Sequence, residues 1–149
     1  SYLGTDSPYV LVLAGSPITK QEHELIEKLR IKEKVLSYIN PSHNMLNYLY
    51  CNAHTLIFPS YAEGFGWPII EAQSSKCPVI ASNKTSIPEI AGNGALFSEP
   101  DDIVKIANYI KFLEITKIRN KILNLGTANV ERYNISKTVS EYTKIIKSI

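Results

Sequence analysis

Two carboxylates, Glu63 and Glu71, stand eight positions apart with Gly64-Phe65-Gly66-Trp67-Pro68 between them. The apolar run Thr55-Leu56-Ile57-Phe58 precedes the pair, and a helical pattern follows Trp67. Pro68 suits a first helical position, because its fixed φ fits and its missing N–H costs nothing there. The reading is strand, glycine-containing turn, helix N-terminus. Such a turn aims unpaired backbone N–H groups and the positive end of a helix dipole into the crevice beyond the strand ends, where phosphate binds well. Glu63 lies on the loop, able to reach a group that projects over the turn. Glu71 falls in about the first helical turn, facing the same crevice, where a carboxylate accepts paired hydrogen bonds from vicinal hydroxyls such as those of a ribose. Together they suit a ligand with a sugar at each end and phosphate between. A structural reading stands beside this one: the dipole alone stabilises a Glu near a helix start, and Gly64 and Gly66 can simply shape a turn.

The elements that must hold this constellation alternate regularly between strand and helix, which predicts an α/β fold with a parallel sheet covered on both faces. Tyr9 to Ala14 is a continuous apolar run, expected as a buried parallel strand. Thr19-Lys20-Gln21-Glu22 reads as a capping box opening a helix with Leu25, Ile26 and Leu29 on its apolar face. Val35 to Ile39 is the second strand, and Ser42 caps a helix whose Met45, Leu46, Leu49 and Tyr50 share a face. The third strand, Thr55 to Phe58, leads through the glycine turn into a helix ending near Ser75. Pro78 to Ala81 and Ala95 to Phe97 are the last strands, separated by a short helical turn over Ile87–Ala91. Asp101 is expected to cap a helix carrying Ile103, Ile106, Ala107, Ile110 and Leu113. From Ile115 the pattern stays helical, broken near Tyr133-Asn134, with Ser136 as a new cap and Val139, Tyr142, Ile145, Ile146 and Ile149 as the final stripe. The expectation is one Rossmann-like domain, residues 1–149, with about five strands in a single sheet and ligands at their carboxyl ends.

Composition narrows the class. A hydrophobic fraction of 44% and a charged fraction of 20% are those of a globular protein with a real core. The net charge of +2 is too small to argue for nucleic acid. No apolar run is long enough to span a bilayer. Cys51 and Cys77 have no metal-ligand spacing, and Cys77 reads as a small buried hydrophobe before a strand. A cytoplasmic setting fits. The lysines between Lys117 and Lys147 form a basic helical surface, read as a solvated face with peripheral contact at the inner membrane face as the alternative.

Glu63-Gly64-Phe65-Gly66-Trp67-Pro68-Ile69-Ile70-Glu71-Ala72 resembles the E-x7-E signature of retaining glycosyltransferases of family 4, which have the GT-B fold. The likeness extends to Leu11-Val12-Leu13-Ala14-Gly15, Leu49-Tyr50 to Ala53, Phe58-Pro59-Ser60, Cys77-Pro78-Val79-Ile80-Ala81-Ser82 and Ile87-Pro88-Glu89. These sit in the order and spacing of that family's C-terminal, donor-binding domain, and cover nearly the whole chain.

The resemblance implies a nucleotide diphosphate sugar as co-substrate, no metal and no other cofactor. Glu63 would be the catalytic acidic residue nearest the transferred sugar. Gly64 and the backbone N–H groups of Phe65, Gly66 and Trp67 would meet sugar hydroxyls or phosphate oxygens, and Glu71 would hold the ribose. Trp67 could equally be a helix-capping hydrophobe packed on Tyr61. Gly15 and the Ile39-Asn40 loop, at carboxyl ends of neighbouring strands, would meet the base and ribose. The acceptor, a glycan or a lipid-linked sugar, would belong to an N-terminal domain outside this chain. The family's opening strand and loop, with an Arg and a Lys on the diphosphate, has no match before Tyr9, so this chain alone is expected to be inactive. Where the family usually has Gly, this chain has Lys76, so the helix carrying Glu71 is expected to end differently. The Gly-Phe-Gly-Trp-Pro variant resembles that of some mannosyltransferases. A donor-binding subunit of a two-chain transferase, a nucleotide-sugar epimerase and a phosphorylase are the other readings.

Overall fold

The computed structural model describes residues 7–148, without the side chains of residues 135–138. The expected cap Ser136, Ile149 and the segment before residue 7 therefore lie outside the described residues. The chain forms two compact units, divided between Leu49 and Tyr50.

In the first unit, β1 (Leu11–Gly15) pairs in parallel with β2 (Val35–Ile39), Leu11 opposite Val35 and Gly15 opposite Ile39. Helix α1 (Lys20–Lys28) joins them, and its start is the expected capping box: Thr19 Oγ1 accepts the Glu22 N–H at 3.3 Å while Glu22 Oε2 accepts the Thr19 N–H at 2.7 Å. Its end passes through Arg30 at φ 54°, where the Arg30 N–H reaches Glu27 O and the Ile31 N–H reaches Ile26 O. Those paired bonds are the Schellman closure of a helix C-terminus. Ser42 caps α2 (His43–Asn52) by accepting the Met45 N–H at 3.3 Å. The expectation of a buried β1 fails: Leu11 is 44% exposed, and Ile39 on β2 is 57% exposed. No described residue of either strand or of α1 is buried.

The second unit holds the core. Strands β3 (Leu56–Phe58), β4 (Val79–Ser82) and β5 (Ala95–Ser98) run parallel in that order. The five strands thus pair as a two-stranded and a three-stranded sheet rather than as one ladder of five. The ladder of β3 opens at Leu56, just after Thr55, whose hydroxyl bonds Pro78 O at 2.9 Å. Every residue of β4 is buried, as a central parallel strand requires. Helix α3 (Trp67–Ser74) lays Ile69 and Ala72 onto Cys77, Val79 and Ala81, and α4 (Ile87–Ala91) adds Ile87 and Ala91. Full burial of a side chain such as Ile69 contributes about 2 kcal/mol.

Helices α5 (Ile103–Phe112) and α6 (Thr116–Val130) follow, then a 3₁₀ turn over Glu131–Tyr133 and α7 (Ile135–Lys147). On α5, Ala107, Ile110 and the following Leu113 are buried, whereas Ile103 is exposed. The cap of α5 is Asp102, whose Oδ1 accepts the Lys105 N–H at 2.9 Å. The expected cap, Asp101, instead accepts the Tyr61 hydroxyl, which holds the Tyr61 phenol above its ordinary pKa. The stripe Val139, Tyr142, Ile145 and Ile146 is exposed on α7.

Helix α3 ends where the sequence pattern placed its end, and the expectation of a different ending is corrected. Lys76 takes φ 54°, its N–H reaching Gln73 O at 3.1 Å, while the Cys77 N–H reaches Ala72 O at 2.8 Å. This is the Schellman geometry that a glycine usually serves, made here by a lysine. The buried Cys77 just beyond anchors it by packing in the core.

Candidate active site

The β3–α3 connection carries Glu63, Gly64, Phe65 and Gly66, and α3 carries Trp67 and Glu71, on one continuous segment of the second unit. Gly66 is the N-cap of α3 at φ 95°, and no side chain caps the helix there. Pro68 has no N–H and the Ile69 N–H already bonds Gly66 O at 3.0 Å, so of the first turn it is the Trp67 N–H that is left to another acceptor. A Cβ on Gly66 would meet only ordinary contacts, so its glycine answers to the backbone angle and not to space. Gly64 is different. Its φ lies outside the left-handed range, and a Cβ there would find no atom within 4 Å. The fold itself places no demand for a glycine at 64.

Glu71 stands just past the first turn of α3 and is half-buried. The Tyr50 hydroxyl donates to Glu71 Oε2 at 3.2 Å. Burial, then the Glu71 carboxylate beside it, raise the Tyr50 phenol far above its ordinary pKa. Glu71 is thus held by a neutral donor and keeps lone pairs for a second pair of donors.

Glu63 is half-buried, and both of its backbone polar groups are taken by hydroxyls from the β4–α4 loop. Its N–H donates to Thr85 Oγ1 at 3.1 Å, and its carbonyl accepts the Ser86 hydroxyl at 2.9 Å. The Ser82 hydroxyl donates to Ser60 O on the same loop. Phe65 packs at 4.7 Å between ring centroids on Trp67 and edge-on at 5.7 Å to Tyr133. Trp67 is 62% exposed, so its ring rests on Phe65 and presents a free face. The Tyr133 hydroxyl in turn donates to Ile90 O at 3.1 Å.

Beneath this surface lies a buried polar network. Asn129 Nδ2 donates to Gln73 Oε1 and to Ile90 O, each at 2.8 Å, and Gln73 Nε2 donates to Ala91 O at 3.0 Å. Arg132 donates to Asn129 Oδ1 at 2.8 Å. It ties α3 and α4 to α6 with every polar atom paired.

Gly15 and Ile39 are in the first unit, at the carboxyl ends of β1 and β2 and opposite each other in register. The Asn40 N–H donates to Gly15 O at 2.8 Å, and Asn40 takes φ 45° to do so. Sequence reasoning did not assign roles to Tyr50, Thr85, Ser86 or Tyr133. The adjacent hydroxyls of Thr85-Ser86 before Ile87-Pro88 were the available signal; Tyr133, far along the chain, offered none. Among the described residues no group of three or more His, Cys, Asp or Glu side chains could hold a metal ion, and no helix is long and apolar enough to cross a membrane.

The chain has a parallel α/β fold with two carboxylates and a glycine turn at a helix start. The crystal structure of Anabaena Alr3699/HepE in complex with UDP shares that fold at TM-score 0.84 and 20% identity, over 95% of this chain and 41% of the other. The chain belongs to the glycosyl transferases group 1 family, whose model matches residues 3–128. The O-antigen chain mannosyltransferase RfbU of Salmonella typhimurium is 36% identical over 134 residues, 86% of this chain and 38% of the relative. O-antigen chain mannosyltransferase B of Escherichia coli is 48% identical over 65 residues, 44% of this chain and 17% of that protein. The chain thus spans well under half the length of these relatives.

Proposed function

We propose that the chain is the donor-binding, C-terminal part of a retaining glycosyltransferase of family 4, moving a hexose from a nucleotide diphosphate sugar to an acceptor hydroxyl. Mannose carried on GDP is the favoured sugar, because both relatives described above are named as mannosyltransferases. The observation that carries the reading is the uncapped N-terminus of α3, with Gly64 beside it bare of any internal reason to be a glycine. Diphosphate oxygens or sugar hydroxyls meet the backbone N–H groups of Phe65, Gly66 and Trp67. Glu71 takes the ribose hydroxyls, and Glu63 reaches the sugar and steadies positive charge as it develops at the anomeric carbon. The leaving diphosphate is stabilised by donors rather than by a metal, and the nucleotide sugar is the sole small-molecule partner besides the acceptor. The HepE structures in complex with UDP and with UDP-glucose support a nucleotide sugar as the ligand class.

Ligand-observed NMR with GDP-, UDP- and ADP-sugars and the bare nucleotides tests the reading. A signal selective for one nucleotide, lost in Glu71→Ala, supports it and names the donor. Silence from the full-length protein across the panel overturns it.

A further inference from the structure

Thr85 sits at φ 48°, in the left-handed region that β-branched residues avoid. A glycine would adopt this angle freely, so the threonine is held against its own preference. What the strained angle secures is its hydroxyl, which accepts the Glu63 N–H at 3.1 Å. Its neighbour Ser86 stands at the start of α4 yet makes no side-chain cap there; its hydroxyl goes to Glu63 O at 2.9 Å instead. Two adjacent hydroxyls thus grip the two backbone polar groups of one residue, and that residue is the loop carboxylate.

The strain and the diverted cap point the same way. Both give up local stability in the β4–α4 loop, and both spend it on the backbone of Glu63. We propose that Thr85 and Ser86 are positioning residues that lock the Glu63 backbone so that its carboxylate meets the donor's sugar. Neither touches the ligand in this scheme; they act through Glu63. The inference rests on the reading of Glu63 as the sugar-facing acid.

The test uses the full-length protein, with GDP-mannose and GDP as probes. Thr85→Val keeps the shape and removes the acceptor. It is expected to speed hydrogen exchange in the Ser60–Gly66 segment about tenfold and to weaken GDP-mannose about fivefold, with GDP affinity unchanged. Thr85→Gly relieves the strained angle, so it should melt no lower than the parent protein while losing sugar recognition as Thr85→Val does. Thr85→Ser should restore both readouts. A merely structural residue would instead move stability and both affinities together. If Thr85→Gly and Thr85→Val bind GDP-mannose like the parent while Glu63→Ala weakens it, the clamp is wrong and the site reading stands. If Glu63→Ala leaves GDP-mannose binding intact, the site reading fails and the clamp fails with it.

Discussion

The Tyr50 hydroxyl points at Glu71 Oε2 from 3.2 Å, so the last turn of α2 fastens the carboxylate that stands just past the first turn of α3. Sequence places these residues far apart and gives Tyr50 only an apolar face. The phenol is kept neutral by burial and by the carboxylate itself, so it donates throughout the physiological range. Tyr50→Phe should leave the core intact and release Glu71. Nucleotide affinity is expected to fall about ten- to a hundredfold, the worth of one hydrogen bond to a charged group, as read by calorimetric titration.

Glu63 and Glu71 should separate by ligand. Glu71→Ala weakens the bare nucleotide, whereas Glu63→Ala spares it and lowers sugar recognition and turnover. Titration of each variant with nucleotide and nucleotide sugar checks this; equal loss of bare nucleotide in both would sink the division of roles.

The left-handed Lys76 gives a stability prediction. Lys76→Gly removes the Cβ penalty at φ 54° and keeps the Schellman bonds. It should stabilise the protein by about 1 kcal/mol, seen as a higher urea midpoint at unchanged slope.

Gly94 makes the opposite case. A Cβ there would lie 2.5 Å from Gly126 Cα and 2.6 Å from Gln73 Nε2, so the α6 backbone would have to move. Gly94→Ala should cost about 2–3 kcal/mol in thermal or chemical unfolding. Asn129→Ala, which strands Gln73 in the same buried network, should cost about 2 kcal/mol.

The cysteines report on burial and on pH. Cys77 is buried, and its thiol is pushed up to about 11, first by desolvation, whereas Cys51 is exposed. An alkylating reagent at pH 8 should therefore label Cys51 in the native protein and reach Cys77 only after denaturation. Because the native thiol holds its proton to higher pH than the unfolded one, its contribution is complete below about pH 9 and is lost as pH rises through about 11. Denaturation at pH 8 and pH 10.5, compared between the parent and Cys77→Ala, isolates that slope.

Much of this protein was written locally. The capping box at Thr19, the cap at Ser42, the helix after Trp67 and the ends of β2 depend on neighbours within about four residues, so residue type and spacing determine them. The glutamate and glycine turn was legible for the same reason, since a helix start and its dipole are built from consecutive residues. Where the local rule allowed two neighbours, as at Asp101 and Asp102, the choice fell to a distant partner, Tyr61. The exposure of β1 and the division into two ladders depend on which strands pair and what packs on each face, which no window of sequence contains. The hold of Tyr50 on Glu71, of Thr85 and Ser86 on Glu63, and of Tyr133 on Phe65 joins residues 21 to 68 positions apart. Hydrogen bonds and ring contacts act over a few ångströms of space, so only the folded chain decides which distant residues they join.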